Sequence, residues 1–163
     1  MGLIERTEQV VRSGRCTDER LKCELAAPLA IEVVNAIEQK LGPLPDDLRR
    51  IYTRVSNGGV GPGYGLIGLR GGVKDDEERD VEQTLQWIRE WTKEGDLVWP
   101  SNLVPILHFG CGIYACIDMR NGQIVDFDPN AWDETDSTWN QCFSTLAPSF
   151  RDWWERWLVK HGA

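Results

Sequence analysis

From Leu44 to Leu69 the chain reads LPDDLRRIYTRVSNGGVGPGYGLIGL, an order of signals that few folds can accommodate. Leu48, Ile51, Tyr52 and Val55 recur at i, i+3, i+4 and i+7, which is one apolar face of a helix. Pro45 suits the first turn, where its missing N–H would have no partner anyway. Asp46 and Asp47 then set negative charge against the positive end of the helix dipole. Asn57, Gly58 and Gly59 readily take positive φ and predict a left-handed stop. Beyond them, Tyr64 to Leu69 is too short for a stable helix and predicts a strand.

On either side the periodicity is equally directive. Pro28 to Leu41 predicts a helix, with Leu29, Val33, Ile37 and Leu41 on one stripe and Gly42-Pro43 ending it. Asp75 to Glu94 predicts another, its stripe being Val81, Leu85, Ile88 and Thr92, with Trp87 and Trp91 one turn apart beside it. From Leu103 to Asp128 the period falls to two. Leu103 to Phe109 is one strand, with Pro105 at an edge or bulge. Gly110 and Gly112 flank a turn, and Ile113, Ala115 and Ile117 alternate with Tyr114, Cys116 and Asp118. Asn121-Gly122 is a two-residue hairpin signal before Gln123 to Asp128. At the C-terminus Ser149 is a helix cap with Asp152 three residues on. Phe150, Trp153, Trp154, Trp157 and Leu158 then form a broad apolar face.

Leu44-Pro45, Tyr52 and Asn57-Gly58-Gly59, followed by a strand block, resemble the signature of the SUKH superfamily. Its members include bacterial immunity proteins, fungal cell-wall-assembly regulators and the translocase-associated Syd proteins. A second match is Ser149-Phe150-Arg151-Asp152-Trp153-Trp154-Glu155-Arg156-Trp157-Leu158, similar to the family's closing helix, with Trp154 where leucine is usual. The resemblance covers roughly Leu29 to Leu158. It implies an α+β fold, a central, mainly antiparallel sheet flanked by helices, with Leu44, Pro45, Tyr52, Asn57, Gly58, Gly59, Phe150, Trp153 and Trp157 as structural motif residues. The expected organisation is a single SUKH-like domain over 28–163, preceded by 1–27 as an arm or an extra helix.

At 163 residues a single domain buries about 70% of its unfolded surface. The net charge of −8 argues against nucleic acid or an anionic membrane as partner, because phosphate would be repelled. It favours a cationic protein, which it would steer inward. No apolar run approaches the roughly 20 residues of a membrane helix. Met1 to Arg12 carries charges where a secretory leader needs an apolar core, so a leaderless, cytoplasmic chain is expected. Five cysteines without zinc-finger pairing then read as reduced thiols.

Two acidic stretches are the candidate contact sites. Six of the eight residues from Asp75 to Glu82 are acidic: Asp75, Asp76, Glu77, Glu78, Asp80 and Glu82. They either complement a helix dipole or present a surface to a basic partner. The second stretch holds Asp126, Asp128, Asp133, Glu134 and Asp136 around Trp132. It reads as a binding anchor, aromatic residues being common hot spots, or as solvated charge around an indole tucked into the core edge.

Chemistry is sparse. His108, Cys111 and Cys116 span strand, turn and strand with no fourth zinc ligand and no group to orient a Cys–His couple. The glycines from Gly58 to Gly65 lack the Lys-Ser/Thr of a phosphate loop. No catalytic residue, metal or cofactor is expected. The resemblance therefore implies a non-catalytic immunity protein that binds and neutralises a cognate toxin, a basic nuclease-type one fitting the acidity. Two alternatives stand: a regulatory adaptor of the same fold, and a thiol- or metal-dependent enzyme using His108 with Cys111 or Cys116. Oligomeric state leaves no mark in the sequence.

Overall fold

A computed structural model describes residues 1–135 and 138–163. Among the described residues, five α-helices and one antiparallel sheet make an α+β domain. Helix α1 (Leu3–Arg12) buries Leu3, Ile4, Thr7 and Val10, and α2 (Ile31–Leu41) buries Val34 and Ile37. Helix α3 (Asp46–Arg50) runs on into a π-helical turn, Ile51–Val55, followed by an extended Ser56. Helix α4 (Val81–Glu94) leads to strands β1 (Leu103–Gly110), β2 (Ile113–Asp118), β3 (Ile124–Phe127) and β4 (Phe143–Ala147), paired in that order. Helix α5 (Phe150–Lys160) closes the chain. Among the described residues no helix is long and apolar enough to cross a membrane.

The aromatic stripe of α5 is core throughout: Phe150, Trp153, Trp154, Trp157 and Leu158 are all buried. Ser149 caps that helix, its hydroxyl accepting from the Asp152 N–H at 3.1 Å. Helix α1 packs on α5, and the Trp154 indole N–H donates to Thr7 Oγ1 at 2.9 Å inside that contact. In the central motif Leu44 is buried and Pro45 caps α3. Tyr52 is wholly buried and donates its hydroxyl to the Ile67 carbonyl at 2.7 Å. Asn57 accepts from the Leu69 N–H at 2.8 Å. Gly58 and Gly59 take φ of 98° and 78°, and a Cβ on Gly59 would lie 1.8 Å from the Glu24 carbonyl oxygen.

Several expectations are corrected. The first predicted helix starts at Ile31, not Pro28, because Leu29 turns its N–H to the Tyr52 carbonyl (2.9 Å) and Ala30 is extended. The segment Tyr64 to Leu69 is not a strand. Its N–H and carbonyl groups mostly bond within the glycine-rich loop (Gly59 N–H to Leu66 O, Leu66 N–H to Val60 O), leaving one bridge, Leu66 with Leu107, to the sheet. The fourth strand is instead β4. Asn121-Gly122 is not a two-residue hairpin: Asp118 N–H bonds Gln123 O, closing a four-residue turn with Gly122 at φ 75°. Pro105 does mark a bulge, with the register shifting between it and Leu107 on edge strand β1. Lastly, not all thiols are reduced. Cys16 and Cys23 form a disulfide, because a turn in the N-terminal arm brings their Cα atoms to 5.3 Å. Cys111, Cys116 and Cys142 are free.

Candidate functional site

Only two members of the first acidic stretch belong to the start of a helix. Helix α4 begins at Val81, so Asp80 is its cap and Glu82 lies in its first turn. Asp80 accepts from the Gln83 N–H at 3.0 Å, and the Gln83 side chain accepts from the Asp80 N–H at 3.0 Å, a reciprocal capping box. Residues 75–79 form a turn ahead of it, organised by Asp75. That carboxylate is buried and accepts from the backbone N–H groups of Glu77 (3.0 Å) and Arg79 (2.9 Å). It also takes Arg79 Nε (3.3 Å), the Thr84 hydroxyl (3.2 Å) and the Tyr114 hydroxyl (3.2 Å). With every direction occupied, Asp75 faces inward while Asp76, Glu77 and Glu78 point to solvent.

Arg79 lies across the indole of Trp87, its guanidinium carbon 3.9 Å from the ring centroid. Trp87 stacks on Trp91 at 5.3 Å with the planes 5° apart, and Trp91 meets Phe127 edge-on. Arg79, Trp87 and Trp91 help wall a cleft of about 470 Å³ between the 75–79 turn and the far end of the sheet. Asp76, Glu77 and Arg79 form one side, Trp87, Trp91 and Tyr114 the floor, and Cys111, Gly112, Pro129 and Asn130 the other side.

Among the described residues of the second acidic stretch, Pro129 and Asn130 are the ones that reach this cleft. Asp128 caps the short 3-10 turn Pro129–Ala131, accepting from the Asn130 N–H at 2.9 Å, and the Asn130 side chain donates to the Cys111 carbonyl at 3.3 Å. Asp126 is half-buried on β3, where burial and then the charge of Asp128 push its carboxyl above the usual range. Trp132 is 41% exposed and stacks on Trp139 at 5.5 Å, so its indole neither enters the core nor stands free. Asp133 and Glu134 are exposed beside it, away from the cleft, and Asp136 lies outside the described residues. The two acidic stretches thus meet at one site, at Asn130 rather than at Trp132.

The thiol cluster does not assemble. Cys116 is fully buried opposite Pro105, and burial pushes its thiol up, the reverse of an activated nucleophile. Cys111 is exposed at the β1–β2 turn with φ 54°. His108 is buried, stacked on Tyr64 at 5.1 Å, and burial holds its imidazole below the ordinary value. Its Nδ1 lies 3.6 Å from Asp76 Oδ1. Among the described residues no group of His, Cys, Asp and Glu side chains could hold a metal ion.

Arg79, Tyr114 and Asn130 were not among the sequence candidates. The one sequence signal for the floor was the Trp87–Trp91 pair at i, i+4 on a helix flank beside its apolar stripe. Residues 28–156 match the family model described as SMI1 / KNR4 family (SUKH-1). No curated protein matches the chain.

Proposed function

The chain belongs to the SMI1 / KNR4 family (SUKH-1), a domain of immunity and regulatory proteins that is generally non-enzymatic, and from that premise we propose that it is an immunity protein that binds and neutralises a cationic toxin. The observation that carries this reading is the rim of the aromatic cleft. Asp76 and Glu77 stand there on a rigid turn, and neither forms an ion pair with a lysine or arginine of its own chain. In a chain of net charge −8 such a rim raises the encounter rate of a basic surface and fixes its register. A nuclease-type toxin, built to bind phosphate, supplies that surface. Such a complex forms in the cytoplasm, where the toxin's targets lie. Binding at this face requires no bond to be made or broken by the chain itself.

The test is to co-express the chain with the toxin encoded beside its gene and to measure association by stopped flow. The on-rate is expected to fall at least about tenfold between roughly 50 mM and 500 mM salt, as screening removes the steering. A complex whose on-rate ignores salt overturns the electrostatic reading. Capture of several unrelated partners, each weakly and with no toxin among them, replaces it with the regulatory-adaptor reading.

A further inference from the structure

We propose that the cleft between the 75–79 turn and the Pro129-Asn130 turn is a socket for one arginine side chain of the protein partner. The inference deepens the reading above and rests on it for the partner being a cationic protein.

Arg79 is compensated internally, since its Nε bonds the buried Asp75 carboxylate at 3.3 Å. That leaves Asp76 and Glu77 as carboxylates on the cleft wall with no lysine or arginine paired to them. His108 lies 3.6 Å from Asp76, with burial holding its imidazole below the ordinary value, and of the two cations that share the adjoining hollow with Asp76, Arg20 is paired with Glu24 and Lys74 donates to the Glu78 carbonyl. Asp76 and Glu77 therefore bring two carboxylates to the cleft wall that, among the described residues, form no ion pair with a lysine or arginine.

The floor decides which cation fits. Trp87, Trp91 and Tyr114 offer aromatic surface, and Pro129 and Gly112 complete an apolar wall. A lysine ammonium is a compact, strongly hydrated charge and loses much on entering such surroundings. A guanidinium is planar and weakly hydrated, stacks on rings and can meet carboxylates with two parallel N–H groups. The structure already contains one such arrangement, Arg79 lying on Trp87 with a carboxylate at its edge. An incoming arginine would repeat that chemistry one step outward, its methylene stem on the aromatic floor and its head at Asp76 and Glu77. The volume, about 470 Å³, falls within the range of pockets that enclose small ligands.

The carboxylates are also held in place before any partner arrives. Asp75 fastens the turn through the Glu77 and Arg79 amides, and through Tyr114 ties it to β2. Glu78 is held at φ 61°, a left-handed conformation that the surrounding bonds maintain. Little ordering remains to be done on binding, which favours affinity.

The probes are the blocked tripeptides acetyl-Gly-Arg-Gly-amide and acetyl-Gly-Lys-Gly-amide, titrated at constant ionic strength into ¹⁵N-labelled full chain. The readout is the indole N–H resonances of Trp87 and Trp91. The arginine peptide is expected to shift both saturably, with the lysine peptide needing about tenfold more for the same shift. In D76N/E77Q, whose substituted side chains are exposed, the shift is lost while the free-state spectrum otherwise stays in place. No saturable shift, equal response to both peptides, or a shift that survives D76N/E77Q each overturns the socket. A toxin complex that D76N/E77Q leaves unweakened overturns the socket and spares the immunity reading. An arginine response from a chain that binds no toxin does the converse.

Discussion

Tyr114 donates its hydroxyl to Asp75 Oδ2 across 3.2 Å, and through that bond a central strand of the sheet fixes the turn that carries the acidic rim. The two residues are 39 positions apart, both are buried, and the same carboxylate oxygen also serves Arg79 and Thr84. Burial first, and then the negative charge of Asp75, push the Tyr114 phenol well above its usual range, so it stays a donor.

Asp75→Ala should therefore cost about 3–5 kcal/mol, since it strands a partly buried guanidinium and two hydroxyls at once. Tyr114→Phe should cost about 1 kcal/mol, leaving one acceptor lightly under-satisfied. Urea midpoints of the two variants check the ranking; equal midpoints would show that Asp75 is not the hub of the turn.

Tyr52→Phe isolates a single hydrogen bond in the family motif. The phenol is fully buried and its one acceptor is the Ile67 carbonyl at 2.7 Å, so the ring can stay while the bond goes. The expected loss is about 1–2 kcal/mol, the desolvation cost of an unanswered carbonyl. Chemical denaturation measures it, and amide exchange should rise at Gly68 and Leu69 before it rises in β2.

Acid should weaken the β2–β3 turn through Asp118. The Arg120 side chain, bonded at 2.8 and 3.1 Å, is the main reason this carboxyl is lowered to about 2, helped by the Arg120 N–H and Asn102 against the opposing effect of burial. Its folded value lies below its unfolded one. The stabilisation is therefore complete above about pH 4 and is lost as pH falls toward about 2. Arg120 is 71% exposed, so solvent screening reduces the contribution to about 1 kcal/mol. Asp118→Asn should be less stable than the parent chain near neutral pH and equal to it near pH 2. A gap that persists unchanged in acid would assign the loss to packing instead.

What the sequence revealed was whatever repeats locally. The α5 stripe shows in the spacing of Phe150, Trp153, Trp154, Trp157 and Leu158, because a buried helix face needs that period. The stop after Val55 is legible only in part: the helical turn ends at an extended Ser56 rather than in a left-handed cap, Asn57 does not take a positive φ, and Gly58 and Gly59 adopt the positive angles just beyond. Asp75 was opaque for the opposite reason. Among six near-identical acidic neighbours, nothing local marks the one that meets a tyrosine from a strand far along the chain. Strand β4, on the sheet's other edge, hides similarly: Ser144 and Thr145 are exposed and no strict alternation survives. Tyr64 to Leu69 looks like a strand to any local rule, yet the loop's glycines let its backbone bond to itself first. The cleft joins three such distant pieces, so only its Trp87–Trp91 pair was visible beforehand.

The disulfide makes the last prediction, because of where it sits. At its N-terminal end, Cys16 O accepts from the Gly61 N–H at 2.8 Å, and just inside the loop the Asp18 and Glu19 N–H groups both reach the Gly63 carbonyl. On its C-terminal side, the Ala26 carbonyl accepts from the Asn57 N–H (3.1 Å) and the Ser56 hydroxyl (2.9 Å). The Cys16–Cys23 bond thus closes the short loop between two anchor points of the arm on the glycine-rich segment. Opening it restores freedom to the unfolded chain and loosens the intervening turn, an effect of about 2 kcal/mol for so short a loop. The sheet depends little on the bond, since β1 to β4 pair in sequence with one another and meet the glycine-rich segment at the single Leu66–Leu107 bridge on β1. Cys16→Ser/Cys23→Ser should therefore lower the urea midpoint modestly and speed amide exchange at Asp18, Glu19 and Gly61, with β1 to β3 still protected. If exchange in the arm is the same with the bond intact, reduced or deleted, the anchors alone hold the arm and the disulfide contributes nothing to its order.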